Sequence, residues 1–143
     1  MRDIFTNFNI IQKHGNVFLD EALSQFGLCS CHRIFIKKIV ENPGITRDKI
    51  KNIAHIHPSN TTRTIDFLEE NDFIVKVIDE QDRRICKLYP TDKLKDAYNV
   101  LKIKEAEWIN IITEGMTEEE VILFSKLLDR SMELSALYIH KEK

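Results

Sequence analysis

The sequence predicts a mainly helical protein with a single small β-hairpin, placed between a run of short helices and a pair of long ones. Three observations predict it. Apolar residues recur at steps of three and four along most of the 143 residues, the period of one helix face. Two short runs, FIVKVI and ICKLY, replace that period with β-branched and aromatic residues alternating around a lysine, the pattern of paired strands. Gly, Pro and Thr punctuate the chain where one period gives way to the next.

The elements follow in order. Residues 4 to 26 place Ile4, Phe8, Ile11, Gly15, Phe18, Leu19, Ala22 and Phe26 along one stripe, a long first helix that Gly27 ends. Leu28 to Val40 carries Ile34, Phe35, Ile36 and Ile39 in a shorter, more buried helix, and the proline of ENPG stops it. A third helix runs from Thr46, which can cap its start, to about His55, with Ile50, Ile53 and Ala54 inward. The fourth starts at Pro58, whose fixed φ and missing N–H suit a first helical position, and runs to about Asn71. Its inward residues are Thr61, Ile65 and Leu68; Ser59, Asn60, Thr62, Arg63 and Asp66 point out. The two strands follow with DEQDRR between them. Thr91 caps a fifth helix from Asp92 to Glu114, striped by Leu94, Ala97, Leu101, Trp108 and Ile112, and Gly115 ends it. Thr117 and Glu120 form a capping box for a sixth helix reaching about Tyr138.

Net charge is only -2, but its distribution is uneven. From His32 to Arg63 there are seven basic residues (Arg33, Lys37, Lys38, Arg47, Lys49, Lys51, Arg63) against Glu41 and Asp48. From Asp92 onward eight basic residues face eleven acidic ones. Positive charge therefore gathers mid-chain, as expected if one lobe meets a polyanion. No apolar run approaches the ~18–20 residues that cross a membrane, and MRDIFTNFNI lacks the plan of a signal peptide, so a cytoplasmic protein without a membrane partner is expected. The three cysteines, Cys29, Cys31 and Cys86, are an odd number. The first two lie too close in sequence for an ordinary structural bridge, so free thiols are expected.

Three helices followed by a hairpin is the winged helix-turn-helix plan. Its last helix can enter a major groove of double-stranded DNA while the hairpin, or wing, follows the backbone or a minor groove. A reading helix needs short polar or bidentate side chains near its N-terminal end, and Ser59, Asn60, Thr62 and Arg63 supply them. A wing needs a guanidinium at its tip. Arg83 and Arg84 lie there, and Asp82, two residues before Arg84, projects to the same side and can orient it. Thr46 and Arg47 are placed to touch phosphate from the third helix. The alternative for the tip is a solvated turn with incidental arginines.

HPSNTTRTIDFLEENDFIVKVIDEQDRRICKLYPT resembles the recognition helix and wing of the MarR family of bacterial transcription regulators. Ser59, Thr62, Arg63, Asp66, Leu68 and Glu69 match the helix pattern, Asp82 and Arg84 the D-x-R wing, and Thr91 the cap that follows. GLCSCHRIFIKKIVENPGITRDKIKNIA and MTEEEVILFSKLLDRSMEL resemble neighbouring family helices, so the likeness covers nearly the whole chain. Two positions depart from it: Asp72 stands where glycine is usual and Pro90 where leucine is usual, which puts wing orientation in question. The resemblance implies a homodimer in which residues 1–27 and 92–143 dimerise and residues 28–91 form the DNA-binding lobe, one intertwined chain rather than separable domains. It also implies a repressor, with no catalytic activity and no cofactor, that reads a pseudo-palindromic operator. An intramolecular six-helix core is the alternative to the dimer.

The resemblance further implies a small-molecule effector site beside the dimer helices, for which His14, Phe18, His32, Phe35 and Trp108 are the candidate lining, although aromatics on buried faces also serve as plain core. Cys29 and Cys31 could make a thiol-responsive regulator, yet the reactive cysteine of the peroxide-sensing relatives lies in the first helix, which here has none. Metal binding by Cys29, Cys31 and His32 lacks a distant second cluster to complete a tetrahedral site, so no metal is expected. His55 and His57 are either phosphate contacts or turn residues. A winged module that binds protein instead of DNA is the remaining reading, because the fold does not settle function.

Overall fold

The computed structural model describes residues 3–54 and 58–141, with the backbone alone at residues 53, 54, 58 and 59. Six α-helices and three short strands make up the described chain: α1 Ile4–Leu23, α2 Arg33–Glu41, β1 Ile45–Thr46, α3 Arg47–Ala54, α4 Pro58–Glu70, β2 Ile74–Ile78, β3 Cys86–Pro90, α5 Asp92–Ile112 and α6 Glu118–Lys141. Single 3₁₀ turns, Ser24–Phe26 and Ser30–His32, lie between α1 and α2. The chain divides into two compact units, one ending at Trp108 and the other beginning at Ile109.

The core of the first unit brings one residue set from each element. Leu19 and Leu23 of α1, Phe35, Ile36 and Ile39 of α2, Ile50 of α3, Ile65 and Leu68 of α4, Leu88 of β3, and Leu94, Ala97 and Leu101 of α5 are all buried. The helix residues are inward positions that the helical period assigns, except Leu23, which is buried where the stripe placed Ala22. Thr61 is buried with them at 1 % exposure.

The sheet is antiparallel in the order β1-β3-β2. Beyond the expected hairpin, it contains β1, which pairs Ile45 with Leu88 and Thr46 with Lys87. Thr46 therefore belongs to a strand, and its hydroxyl still accepts the Lys49 N–H at 3.2 Å, capping α3 as expected. A two-residue strand is too short to show alternation, which is why periodicity does not reveal it.

Both departures from the family pattern find room in this geometry. Asp72 has φ 62°, the left-handed region that Asp tolerates better than most side chains. The turn it makes returns Phe73 N–H to Leu68 O at 2.8 Å, closing α4. Pro90 lies opposite Ile74 at the end of β3. Thr91 N–H donates to Phe73 O at 3.0 Å, so by antiparallel alternation the nitrogen of Pro90 faces away from β2. On that side β1 reaches only as far as Leu88, and the missing N–H leaves no ladder bond unmade. Thr91 secures the junction: its hydroxyl donates within reach of Asp72 O at 2.7 Å and Phe73 O at 2.9 Å while facing the Leu94 N–H at the start of α5.

Cys29 and Cys31 are not the free thiols that their close spacing predicts. Cys29 and Cys31 form a disulfide across a Cα–Cα distance of 5.3 Å, inside the bridging range of about 4.4–6.8 Å. Sequence proximity does not forbid the bond, because the chain turns from extended backbone at Cys29 (φ -133°, ψ 173°) directly into the 3₁₀ turn, bringing the two sulfurs together. Cys86 is a free thiol.

The apolar stripes of the long helices are only partly covered. On α1, Gly15, Leu19 and Leu23 are buried, whereas Ile4, Phe5, Phe8, Ile10 and Ile11 are exposed. Helix α6 has no buried residue. Among the described residues no helix is long and apolar enough to cross a membrane.

Candidate nucleic-acid interface

The wing tip is built by its own carboxylates. One oxygen of Asp79 accepts the backbone N–H groups of Gln81 at 2.8 Å and Asp82 at 3.0 Å, an Asx turn. Asp79 N–H to Ile85 O and Ile85 N–H to Asp82 O, both at 3.0 Å, close the loop. The N–H groups of Asp82 and then Gln81 hold the Asp79 carboxyl below its ordinary pKa. Asp79 is thus a turn-former as well as a charge.

Asp82 holds Arg84 as the two-residue spacing predicts. Its oxygens accept Nε at 3.0 Å and Nη2 at 3.1 Å, and Oδ1 also accepts the Arg84 backbone N–H at 3.1 Å. This fork holds the Asp82 carboxyl below its ordinary pKa, lowered first by the guanidinium and then by the backbone N–H. The Arg84 side chain nevertheless stays 90 % exposed. A pair this exposed contributes little to folding, so its consequence is orientation: the guanidinium is pre-aimed and remains available.

Helix α4 turns Asn60, Thr62 and Arg63 to the surface, opposite the core-facing Thr61, Ile65 and Leu68. Arg47, Thr62, Asp66, Lys76, Arg83 and Arg84 line one open cleft between α3, α4 and the wing, and Thr46 and Arg47 meet Arg84 again in an adjoining depression. Five of the expected contact residues therefore come together. Asn60 and Arg63 lie on the exposed face of the same helix. The side chain of Ser59 and the whole of His55 and His57 lie outside the described residues.

Lys76 is the residue that the sequence pattern understated. It donates to Asp66 at 2.6 Å and lies 3.4 Å from Glu69, fastening the outer side of α4 to β2. Burial alone would lower the Lys76 pKa, but its hydrogen bond and attraction to Asp66, with Glu69, outweigh it and raise the value. A signal was present: Lys76 has the same strand parity as buried Ile74, and a cation turned inward requires a partner.

Part of the mid-chain positive charge is committed inside the protein. Arg33 pairs with Glu105, and Lys37 reaches the other oxygen of the same carboxylate at 3.0 Å. The cations left around the cleft are Arg47, Arg83 and Arg84, with Lys76 balanced by its acidic partners.

The five candidate effector residues occupy distinct places. Phe18 and Trp108 pack together with ring centroids 5.5 Å apart, close to Gly15, where a Cβ would lie 2.9 Å from Trp108 Nε1. Phe35 is core at 1 % exposure, and His14 is exposed. His32 is stacked on Phe67 of α4, with centroids 5.0 Å apart and planes 6° from parallel.

Known proteins resemble this chain along nearly its full length. Residues 36–86 match the MarR family. The uncharacterised HTH-type transcriptional regulator YybA of Bacillus subtilis (strain 168) is 30 % identical over 130 residues, covering 91 % of this chain and 87 % of that protein. Among solved structures, a MarR protein from Peptoclostridium difficile DA00132 superposes with a TM-score of 0.91 at 26 % identity, covering 100 % of this chain and 94 % of the other. A putative MarR family transcriptional regulator from Listeria monocytogenes, solved in complex with a 26mer DNA, superposes with a TM-score of 0.87 at 25 % identity, covering 99 % and 96 %.

Proposed function

The chain belongs to the MarR family of DNA-binding transcriptional regulators, a non-enzymatic class, and from that premise we propose that it is a cytoplasmic homodimeric repressor whose operator affinity responds to a small molecule. The observation that carries the DNA assignment is the fork on Arg84: an exposed guanidinium, pre-aimed by Asp82, beside the outer face of α4. Asn60, Thr62 and Arg63 read base edges in the major groove, with Ser59 at the start of the same helix. Arg84 enters the neighbouring minor groove, while Thr46, Arg47 and Arg83 contact phosphates. The Listeria regulator solved with DNA supports this use of the fold.

The uncovered helices support the dimer. Leu123, Leu127, Leu134, Leu137 and Tyr138 of α6 are each more than half exposed, a density of apolar surface that marks an interface. Two-fold pairing places two wings on one duplex, so the operator is a pseudo-palindrome with half-site centres about 10 base pairs apart. An effector that fits between the dimer helices and the winged lobe releases DNA by favouring one lobe spacing over the other, with the Phe18–Trp108 pair as its candidate aromatic wall.

Selection of bound duplexes from a random pool, followed by titration of the selected duplex across salt, tests the assignment. The expected result is a pseudo-palindromic site and a log–log slope of about -0.9 per phosphate neutralised. Failure to retain any duplex at low salt would leave a winged protein-interaction module as the reading.

A further inference from the structure

The disulfide between Cys29 and Cys31 is linked to α4 through a single side chain, His32. Cys31 is exposed and Cys29 half-buried, so Cys31 is the more open of the two to an external thiol. His32 Nδ1 accepts the Cys29 backbone N–H at 3.0 Å and lies 3.5 Å from Cys29 Sγ. The same imidazole stacks flat on Phe67. Phe67 packs against the core next to Asp66, which Lys76 clamps to the sheet. On the other side, Ser30 N–H donates to Asp20 of α1 at 2.6 Å, which anchors the cysteine turn. His32 therefore connects Cys29 to α4.

We propose that Cys29 and Cys31 are a regulatory dithiol–disulfide couple whose state is carried to α4 by the His32–Phe67 stack. In reducing surroundings a disulfide that forms is usually transient and sensing rather than structural. The exchange is balanced by a low-molecular-weight thiol and its disulfide. A thiolate attacks exposed Cys31 Sγ, the Cys29–Cys31 bond breaks, and Cys29 leaves as a thiolate that takes a proton from water. A second thiolate attacks the mixed disulfide, releasing Cys31 and the oxidised low-molecular-weight disulfide; oxidation is the reverse. The bridged Cys29 sulfur has no proton to give. The reduced thiol can donate S–H to His32 Nδ1, in competition with the Cys29 backbone N–H, and so pulls the ring from the plane in which it stacks on Phe67. The disulfide form keeps the stack and holds α4; the dithiol form loosens it.

The consequence for operator affinity rests on the DNA-binding reading, whereas the coupling to α4 does not, so two readouts separate them. The full chain is poised with oxidised or reduced glutathione, and thiol counting verifies each state. Duplex affinity and amide hydrogen exchange of residues 60–70 are then measured. Reduction is expected to weaken the selected duplex by about fivefold or more, the lower range of allosteric coupling, and to speed exchange in α4. The double variant Cys29→Ser/Cys31→Ser should lose both responses, and Phe67→Leu should bind DNA but respond weakly. Faster α4 exchange without duplex binding in either state would uphold the coupling and sink the DNA reading alone. Equal affinity and equal exchange in two verified states would overturn the proposal, as would a response that persists in the double variant. So would a response to Zn²⁺ on the reduced protein with none to oxidation, which would make the cluster a metal site.

Discussion

Replacing Asp82 by alanine separates orientation from charge at the wing. In the free protein the Arg84 guanidinium is held by two side-chain hydrogen bonds, with its side chain 90 % exposed. Removing the carboxylate leaves the guanidinium in place but returns its rotamer freedom, which must then be lost on binding. Immobilising one such side chain weakens binding by roughly 2- to 10-fold. The proposed dimer engages two wings, so the two factors multiply to about 4- to 100-fold on the specific operator. Deleting a negative charge beside the phosphates works the other way and strengthens binding to any duplex. The two effects cannot cancel in both assays, because only the specific complex demands one arginine geometry. Fluorescence anisotropy with the selected operator and a scrambled duplex should therefore show a smaller specific-to-nonspecific ratio for Asp82→Ala, with thermal stability nearly unchanged. Arg84→Ala should lose specific affinity more severely and reduce the salt slope by about one per wing. An Asp82→Ala protein whose ratio equals the parent's would refute the reasoning, since the fork would then orient nothing that DNA reads.

Arg63→Ala is expected to relax base preference at one operator position per half-site by about 1–3 kcal/mol, whereas Arg83→Ala should weaken all sequences alike; comparison of the two by repeated duplex selection checks this. Lys76→Met removes the partners of Asp66 and Glu69 and should cost about 0.5–1 kcal/mol, a value kept small by the exposure of the pair, measured by urea unfolding. Because the Lys76 pKa is raised in the folded state, its contribution is full below the ordinary lysine value of 10.5 and is lost as pH rises through the folded value, so parent and variant should converge only in strong alkali. Glu105→Gln strands Arg33 and Lys37 and should lower Tm by about 2–4 °C, on the scale of ~1 kcal/mol for a chain of this size. Leu134→Glu, at a position 57 % exposed in the single chain, should produce monomers in sedimentation and abolish tight operator binding.

What was legible in the sequence was whatever a local period or a short spacing encodes. The inward faces of α2, α4 and α5 follow from steps of three and four, and the Asp82–Arg84 fork and the Thr117–Glu120 box from separations of two and three; in the box, Thr117 N–H donates to Glu120 at 2.8 Å and Glu120 N–H to Thr117 at 3.2 Å. What was not legible depends on partners distant in sequence. Glu105 lies 72 residues from Arg33, so the mid-chain surplus of positive charge includes cations that the fold uses internally. The stripe of α1 illustrates the same limit within one helix. Ile4, Phe8 and Ile11 share a period with Gly15 and Leu19, yet only the latter two are buried in the single chain. Periodicity says that a face is apolar; it does not say whether the surface covering it belongs to the same molecule. The two failures have one cause and opposite consequences. Cations expected to face an outside partner are held within the chain, and apolar residues expected in the protein's own core are left exposed. The ion pairs that fix α2 and α4, Arg33 and Lys37 on Glu105 and Lys76 on Asp66, are internal to the single chain, so under the proposed dimerisation each winged lobe keeps its own fastening whatever covers the long helices.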